Sequence, residues 1–103
     1  MKAVFIIQPY GPIIRTEQKA VPSLKQLQDA VGGSIELLPG FTRFEFGGKT
    51  YTRGAAFVNE NGISMQLPFN KRATEAWKAC LGLKPLWYDP HLMGNVIFYA
   101  TVK

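Results

Sequence analysis

The sequence has few of the residues on which most enzyme chemistry depends. Its 103 residues include one cysteine and one histidine. It has no Cys-x-x-Cys pair, no His-Glu-x-x-His motif, no glycine-rich phosphate loop and no Gly-x-Ser-x-Gly motif. Because the common metal, phosphate and acyl-transfer chemistries lack their minimum side chains, the sequence predicts no metal site, no cofactor and no standard catalytic site.

Long apolar runs are also missing. The N-terminal run, Ala3 to Ile7, falls far short of the roughly 20 residues that a membrane helix needs, and it is too short for the apolar part of a signal peptide. We interpret it as a strand covered on both faces. Cys80 has no partner for a disulfide, and a lone thiol suits a reducing compartment. We therefore expect a cytoplasmic protein that does not enter membranes.

Negative charge is scarce. Twelve Lys and Arg oppose seven Asp and Glu, which gives a formal charge of +5 and excludes a mimic of DNA. This balance is compatible with nucleic acid, an anionic ligand or an acidic protein partner. The basic residues are scattered, however, and no run exceeds Lys71-Arg72, which is also typical of an ordinary solvated surface.

Two segments have the spacing of amphipathic helices. In the first, Ser23 and Gln26 form a capping-box pattern before a helix at Leu24 to Val31, and glycines end it. In the second, Asn70 is placed as the N-cap of a helix at Lys71 to Leu81. Its predicted apolar stripe consists of Ala73, Ala76, Trp77, Cys80 and Leu81. On this stripe Cys80 is expected to be inert packing.

Between the helices the apolar pattern alternates, which is typical of strands. Gly47-Gly48 and Asn61-Gly62 are placed as two-residue hairpin turns. The first turn pairs Phe44 with Tyr51. The second sets Met65 opposite Val58 and gives Ile63 and Leu67 the same face.

The expected fold is α+β. A last strand is predicted at Val96 to Val102, and its apolar content suits a central or well-covered position. The length and the 47% apolar content fit one domain spanning residues 1–103. We predict a mostly antiparallel sheet with the two helices packed on one face.

Three segments together resemble a known family. They are "VGGSIELLP", "AAFVNENGISMQLPFNKRAT" and "LMGNVIFYA". They are similar to small phage and mobile-element proteins grouped as the domain of unknown function numbered thirty-eight forty-six. The resemblance covers most of the chain, apart from "FTRFEFGGKTYTRG", and implies a phage, prophage or plasmid origin. It implies no activity and no catalytic residues.

A basic, aromatic strand is the first candidate site. Lys49, Tyr51 and Arg53 alternate onto one face beside phenylalanines, and rings that stack on bases beside cations that neutralise phosphates are what a single-strand platform needs. The alternative is that the rings belong to the core. A bound anion or nucleotide would involve Lys49, Arg53 and Arg43.

A segment near the C-terminus supports two further hypotheses. In "YDPHL", Asp89 would orient His91 as a general base, with Glu36 or Glu60 as a second carboxylate, although Asp-Pro-His is typical of a turn. In the overlapping segment "PLWYDP", the aromatic loop of Leu86, Trp87 and Tyr88, between Pro85 and Pro90, is a candidate for contact with another protein, or Trp87 covers the core.

The sequence thus favours a non-catalytic accessory protein of a phage or mobile element. We expect it to bind, in fixed stoichiometry, a host or defence-system protein. The alternative is a protein that binds nucleic acid or an anionic small ligand. No particular oligomeric state is predicted.

Overall fold

The computed structural model describes residues 1–82 and 90–102, which form seven strands and two helices. The strands are β1 (Lys2–Ile7), β2 (Ile14–Gln18), β3 (Ile35–Leu37), β4 (Phe44–Phe46), β5 (Lys49–Tyr51), β6 (Ala55–Asn59) and β7 (Val96–Thr101). The helices are α1 (Leu24–Val31) and α2 (Lys71–Leu81).

The main sheet has five strands in the order β2-β1-β7-β6-β3. Every neighbouring pair in it is antiparallel. The prediction of a central or well-covered last strand is confirmed, because β7 lies in the middle of the sheet and buries residues on both of its faces. The edges of the sheet are β2 and β3. β4 and β5 form a separate two-stranded sheet.

Each face of the main sheet carries its own apolar cluster. On one face, Leu27 of α1 shares a buried cluster with Ile97. On the other, Trp77 of α2 shares a buried cluster with Phe98 and with the hairpin of β4 and β5. The α+β class is confirmed, but the expectation that both helices lie on one face is wrong. Ile97 and Phe98 are neighbours that point to opposite faces, and each apolar face needs a cover.

Both helices begin and end where the sequence predicts. Ser23 accepts a hydrogen bond from the backbone N–H of Gln26, whose side chain accepts one from the backbone of Ser23 in return. Gly32, at φ 78°, ends α1 in the left-handed region that glycine favours. Asn70 accepts a bond from Ala73 N at 3.0 Å. Cys80 lies half-buried on α2 and donates to the backbone oxygen of Arg43.

The hairpin at Gly47-Gly48 is confirmed with its register. Phe44 pairs with Tyr51 and Phe46 pairs with Lys49. Both glycines have positive φ, at 60° and 77°, as the favoured two-residue turn requires.

The hairpin predicted at Asn61-Gly62 is wrong. Residues 60–66 form successive turns, in which Met65 N donates to Asn61 O at 2.8 Å. Ile63 is 75% exposed and Met65 is 52% exposed, so neither joins the face of Val58. The physical reason is that β6 already pairs with β7 on one side and with β3 on the other. No edge of β6 is left for a returning strand.

Candidate binding surfaces

The aromatic rings of the predicted basic strand lie in the core. Tyr51 and Phe44 are each 6% exposed. Their ring centroids lie 4.9 Å and 5.3 Å from that of Phe5 on β1, in edge-to-face arrangements. A ring packed in this way has no free face on which a base can stack. The alternative that these rings belong to the core is therefore confirmed.

Basic side chains cover the outer side of Tyr51. Lys49 Nζ lies 5.3 Å from its ring centroid, and Cζ of Arg15 lies 5.8 Å from it. A hydrogen bond to Tyr51, and after it one to Glu17, raises the pKa of Arg15 above its ordinary value. The sequence pattern does not identify Arg15, because β2 and β5 belong to different sheets and come together only where the hairpin of β4 and β5 packs on the main sheet.

The other two predicted cations, Arg43 and Arg53, lie in different surroundings. Arg43 Nη2 donates to Ala79 O at 3.0 Å, where it complements the negative C-terminal end of α2. Arg53 is exposed and has φ 56°, just after β5 ends. The structure thus brings Lys49 beside Tyr51, whereas Arg43 serves as a cap for α2. Trp87, Tyr88 and Asp89 lie outside the described residues.

A pocket of about 370 Å³ lies where β3, β6, α2 and residues 90–93 meet. Its buried apolar lining includes Leu38, Val58, Trp77 and Leu92. Its exposed rim carries Glu36, Glu60, Ile63 and His91. We call it the β3–α2 pocket. No Lys or Arg is found among its described lining residues, so this pocket in a protein of charge +5 presents carboxylates.

The catalytic hypothesis names four side chains, of which the structure describes all but Asp89. It brings these three together. Glu36, Glu60 and His91 line one pocket although they lie far apart in the sequence. The His91 ring also packs against Phe69, with centroids 5.3 Å apart. Across residues 1–82 and 90–102, no three His, Cys, Asp or Glu side chains are grouped to hold a metal ion.

Hydrogen bonds and close packing fix the walls of the pocket. Trp77 Nε1 donates to Pro39 O at 2.8 Å, which orients the indole ring. Asn59, 3% exposed, accepts from Asn61 N at 2.8 Å and so holds the turn beside the rim. Gly62 lies so close to Met93 that a Cβ atom would come within 2.9 Å of the Met93 oxygen. The rim around residues 60–63 is therefore held in place.

Strand β3 borders the pocket and has an open outer edge. Glu60 N donates to Ser34 O at 3.0 Å, and Leu38 N donates to Ala56 O at 2.9 Å. Backbone groups alternate along an antiparallel strand, so Ile35 and Leu37 direct theirs away from β6. No described residue bonds to these outward groups. Leu37 is also 55% exposed. The sequence does not identify this edge, because its alternating pattern predicts residues 63–67 as the strand partner of β6.

Neither described helix has the length and the apolar character that crossing a membrane requires. Comparisons of the chain with protein-family models, with curated proteins and with solved structures found no match. The resemblance to the phage family therefore stays a prediction.

Proposed function

We propose that this chain acts without turnover, by binding a host or defence-system protein on behalf of a phage or other mobile element. The β3–α2 pocket and the open edge of β3 form the binding site. The proposal rests on one observation, that the pocket and the open edge of β3 are continuous. Glu36 belongs to the edge strand and also lines the pocket.

The geometry favours an extended segment of the partner. Such a segment adds to β3 as a further antiparallel or parallel strand and pairs with the outward backbone groups of Ile35 and Leu37. Its side chains alternate between the two faces of the sheet. Those on the side of Glu36 point toward the β3–α2 pocket. Those on the other side meet Leu37, which is exposed.

The charge of the pocket selects a basic side chain. Glu36 and Glu60 lie on the rim above an apolar lining. A Lys or Arg of the partner can bury its carbon chain against the apolar wall and direct its charge to these carboxylates. The same carboxylates repel phosphate, so nucleic acid and anionic small ligands do not suit this site. Ile63, 75% exposed, adds an apolar contact at the rim.

Charge reversal tests the proposal. We expect the double variant Glu36→Lys/Glu60→Lys to lose binding by at least about tenfold, because two attractions to a basic side chain become repulsions. The matched control is Glu45→Lys/Glu75→Lys, which changes the net charge equally at exposed positions outside the β3–α2 pocket. The probes are a displayed library of short peptides and a host lysate. Bound peptides are identified by sequencing and bound proteins by mass spectrometry.

The expected peptides contain a Lys or Arg flanked by residues that favour strands. They are retained by the control variant and lost by the pocket variant. Enrichment of acidic peptides, or equal loss by both variants, would contradict the proposed site. Repeated turnover of a nucleotide or nucleic acid by the purified protein would contradict binding as the function.

A further inference from the structure

The second edge of the main sheet, β2, has a fixed pattern of backbone directions. Val102 N donates to Met1 O at 2.9 Å, so Met1 and every second residue after it direct their backbone N–H and C=O groups to β7. Val4 lies between such residues and therefore directs its backbone groups to β2. Its partner there is Thr16. Thr16 accordingly uses its backbone groups for the bond to β1.

Arg15 and Glu17, on either side of Thr16, direct their backbone N–H and C=O groups to the open edge. Among the described residues, none pairs with this side of β2. Four of the five residues of β2 are exposed. Unpaired backbone groups on an exposed edge are a template for another strand.

The charges along this edge are complementary to themselves. If a second copy pairs antiparallel with its centre at Thr16, Arg15 of each copy lies opposite Glu17 of the other. Those are the residues with outward backbone groups, so each opposed pair also exchanges two backbone hydrogen bonds. A shift of the centre to Arg15 or to Glu17 sets identical charges opposite each other, which is unfavourable.

We infer that β2 is a self-association edge, where two copies of this chain join their main sheets antiparallel about Thr16. Within one chain Arg15 and Glu17 already form an ion pair at 2.9 Å, so their side chains share a face. In the dimer this pair becomes a ring of four alternating charges. Each charge then has an opposite charge both within its own strand and across the interface.

Exposed apolar side chains occur at both ends of this edge. Ile14, at one end of β2, is 44% exposed. Val21 and Leu24, which follow the other end, are 49% and 60% exposed. Antiparallel pairing places Ile14 of one copy beside Gln18 of the other, and so toward the segment that carries Val21 and Leu24. Burial of these side chains adds an apolar contribution to association.

Charge exchange between two variants tests the inference. In Arg15→Glu both cross-strand pairs set carboxylate against carboxylate, and in Glu17→Arg both set guanidinium against guanidinium. We expect each variant alone to have a dimer dissociation constant at least about tenfold higher than that of the original chain. An equimolar mixture restores both opposite-charge pairs, so it should form heterodimers. The doubly exchanged chain, Arg15→Glu/Glu17→Arg, should form homodimers.

Sedimentation velocity measures each of these species against the 11.5 kDa of one chain. Far-UV circular dichroism and thermal melting show whether each variant is folded, since Arg15 also contacts Tyr51. A second measurement needs no substitution. Amide hydrogen exchange, followed by NMR at high and low protein concentration, should show protection of Arg15 and Glu17 that disappears on dilution.

Internal controls accompany the exchange measurement. The amide of Thr16 should be protected at both concentrations because it bonds to β1. Those of Ile35 and Leu37, at the other edge, should exchange fast at both. The inference is overturned by an original chain that is monomeric at about 1 mM, where weak specific association is still visible. It is equally overturned if the mixture of the two single variants fails to associate, or if Arg15 and Glu17 exchange fast at high concentration.

Discussion

Asn70 forms both a local hydrogen bond, as the N-cap of α2, and hydrogen bonds to residues far away in the sequence. The sequence predicts its role as the N-cap of α2, and the bond from Ala73 N confirms this role. The structure adds two bonds in which the amide Nδ2 donates to Ile7 O at 2.7 Å and to Gly94 O at 2.9 Å. These could not be predicted, because their partners lie far away in the sequence and nothing local marks them. Asn70 is fully buried, so each bond satisfies a backbone oxygen away from water.

Replacement of Asn70 should therefore destabilise the protein more than loss of an ordinary cap. We expect Asn70→Ala to lower the free energy of unfolding by about 3 kcal/mol or more, since two buried carbonyls lose their donor in addition to the cap. Urea titration of Asn70→Ala and of Ser23→Ala measures the difference. The exposed Ser23 cap should contribute about 1 kcal/mol. Equal losses for the two variants would show that Asn70 acts only as a cap.

At the scale of elements, the sequence predicts those features that neighbouring residues determine, namely the ends of helices and a tight hairpin turn. The capping box fixed α1, the paired glycines fixed the hairpin of β4 and β5, and the 3.6-residue spacing fixed α2. The pairing of β6 was missed for a different reason. The apolar alternation of residues 63–67 fits a strand, but the competing partner β3 forms the same kind of ladder with β6. A sequence pattern does not decide which of two partners occupies an edge.

The exposed turn after β6 gives a direct test of this correction. Ile63→Ser should change the free energy of unfolding by less than about 0.5 kcal/mol, as is usual for exposed positions. Leu38→Ala, on the other wall of the β3–α2 pocket, should destabilise by about 2–5 kcal/mol because Leu38 is 3% exposed. Urea unfolding of both variants provides the comparison. A loss above about 2 kcal/mol for Ile63→Ser would support the hairpin that the sequence predicted.

The faces of the sheet could be predicted in part. The apolar run of β1 indicates a strand covered on both sides, and the structure covers it on both sides. Which helix covers which face depends on the chain's path between elements, and the sequence does not encode that path in any local pattern. The β3–α2 pocket follows from the same path. Glu36, Glu60 and His91 are separate candidates in the sequence. The pairing of β3 with β6 brings the segments of Glu36 and Glu60 together, and residues 90–93 add His91 to the lining of the same cavity.

At the scale of the whole molecule, charge is divided unevenly between surfaces. The chain carries +5, yet the described lining of the β3–α2 pocket holds carboxylates and no Lys or Arg. Lys49 and Arg53 are exposed elsewhere, without an ion pair to any described residue. Positive charge therefore remains available to attract phosphate at long range, while of the rings in the predicted platform Phe44 and Tyr51 are buried and Phe46 is half-buried.

Nucleic-acid binding should consequently be weak and indifferent to bases. We expect a short oligothymidylate and an abasic oligonucleotide of the same length to bind equally, because Tyr51 offers no ring for stacking and only phosphates are neutralised. The affinity should fall with salt, with log K decreasing by about 0.7 per phosphate contacted on a single strand, and Lys49→Ala/Arg53→Ala should reduce that slope. Fluorescence anisotropy at several salt concentrations measures both quantities. Each stacked base contributes about 1–3 kcal/mol to binding. A tenfold or greater preference for the base-bearing oligonucleotide would therefore show that the protein has a surface on which bases stack, and would contradict this prediction.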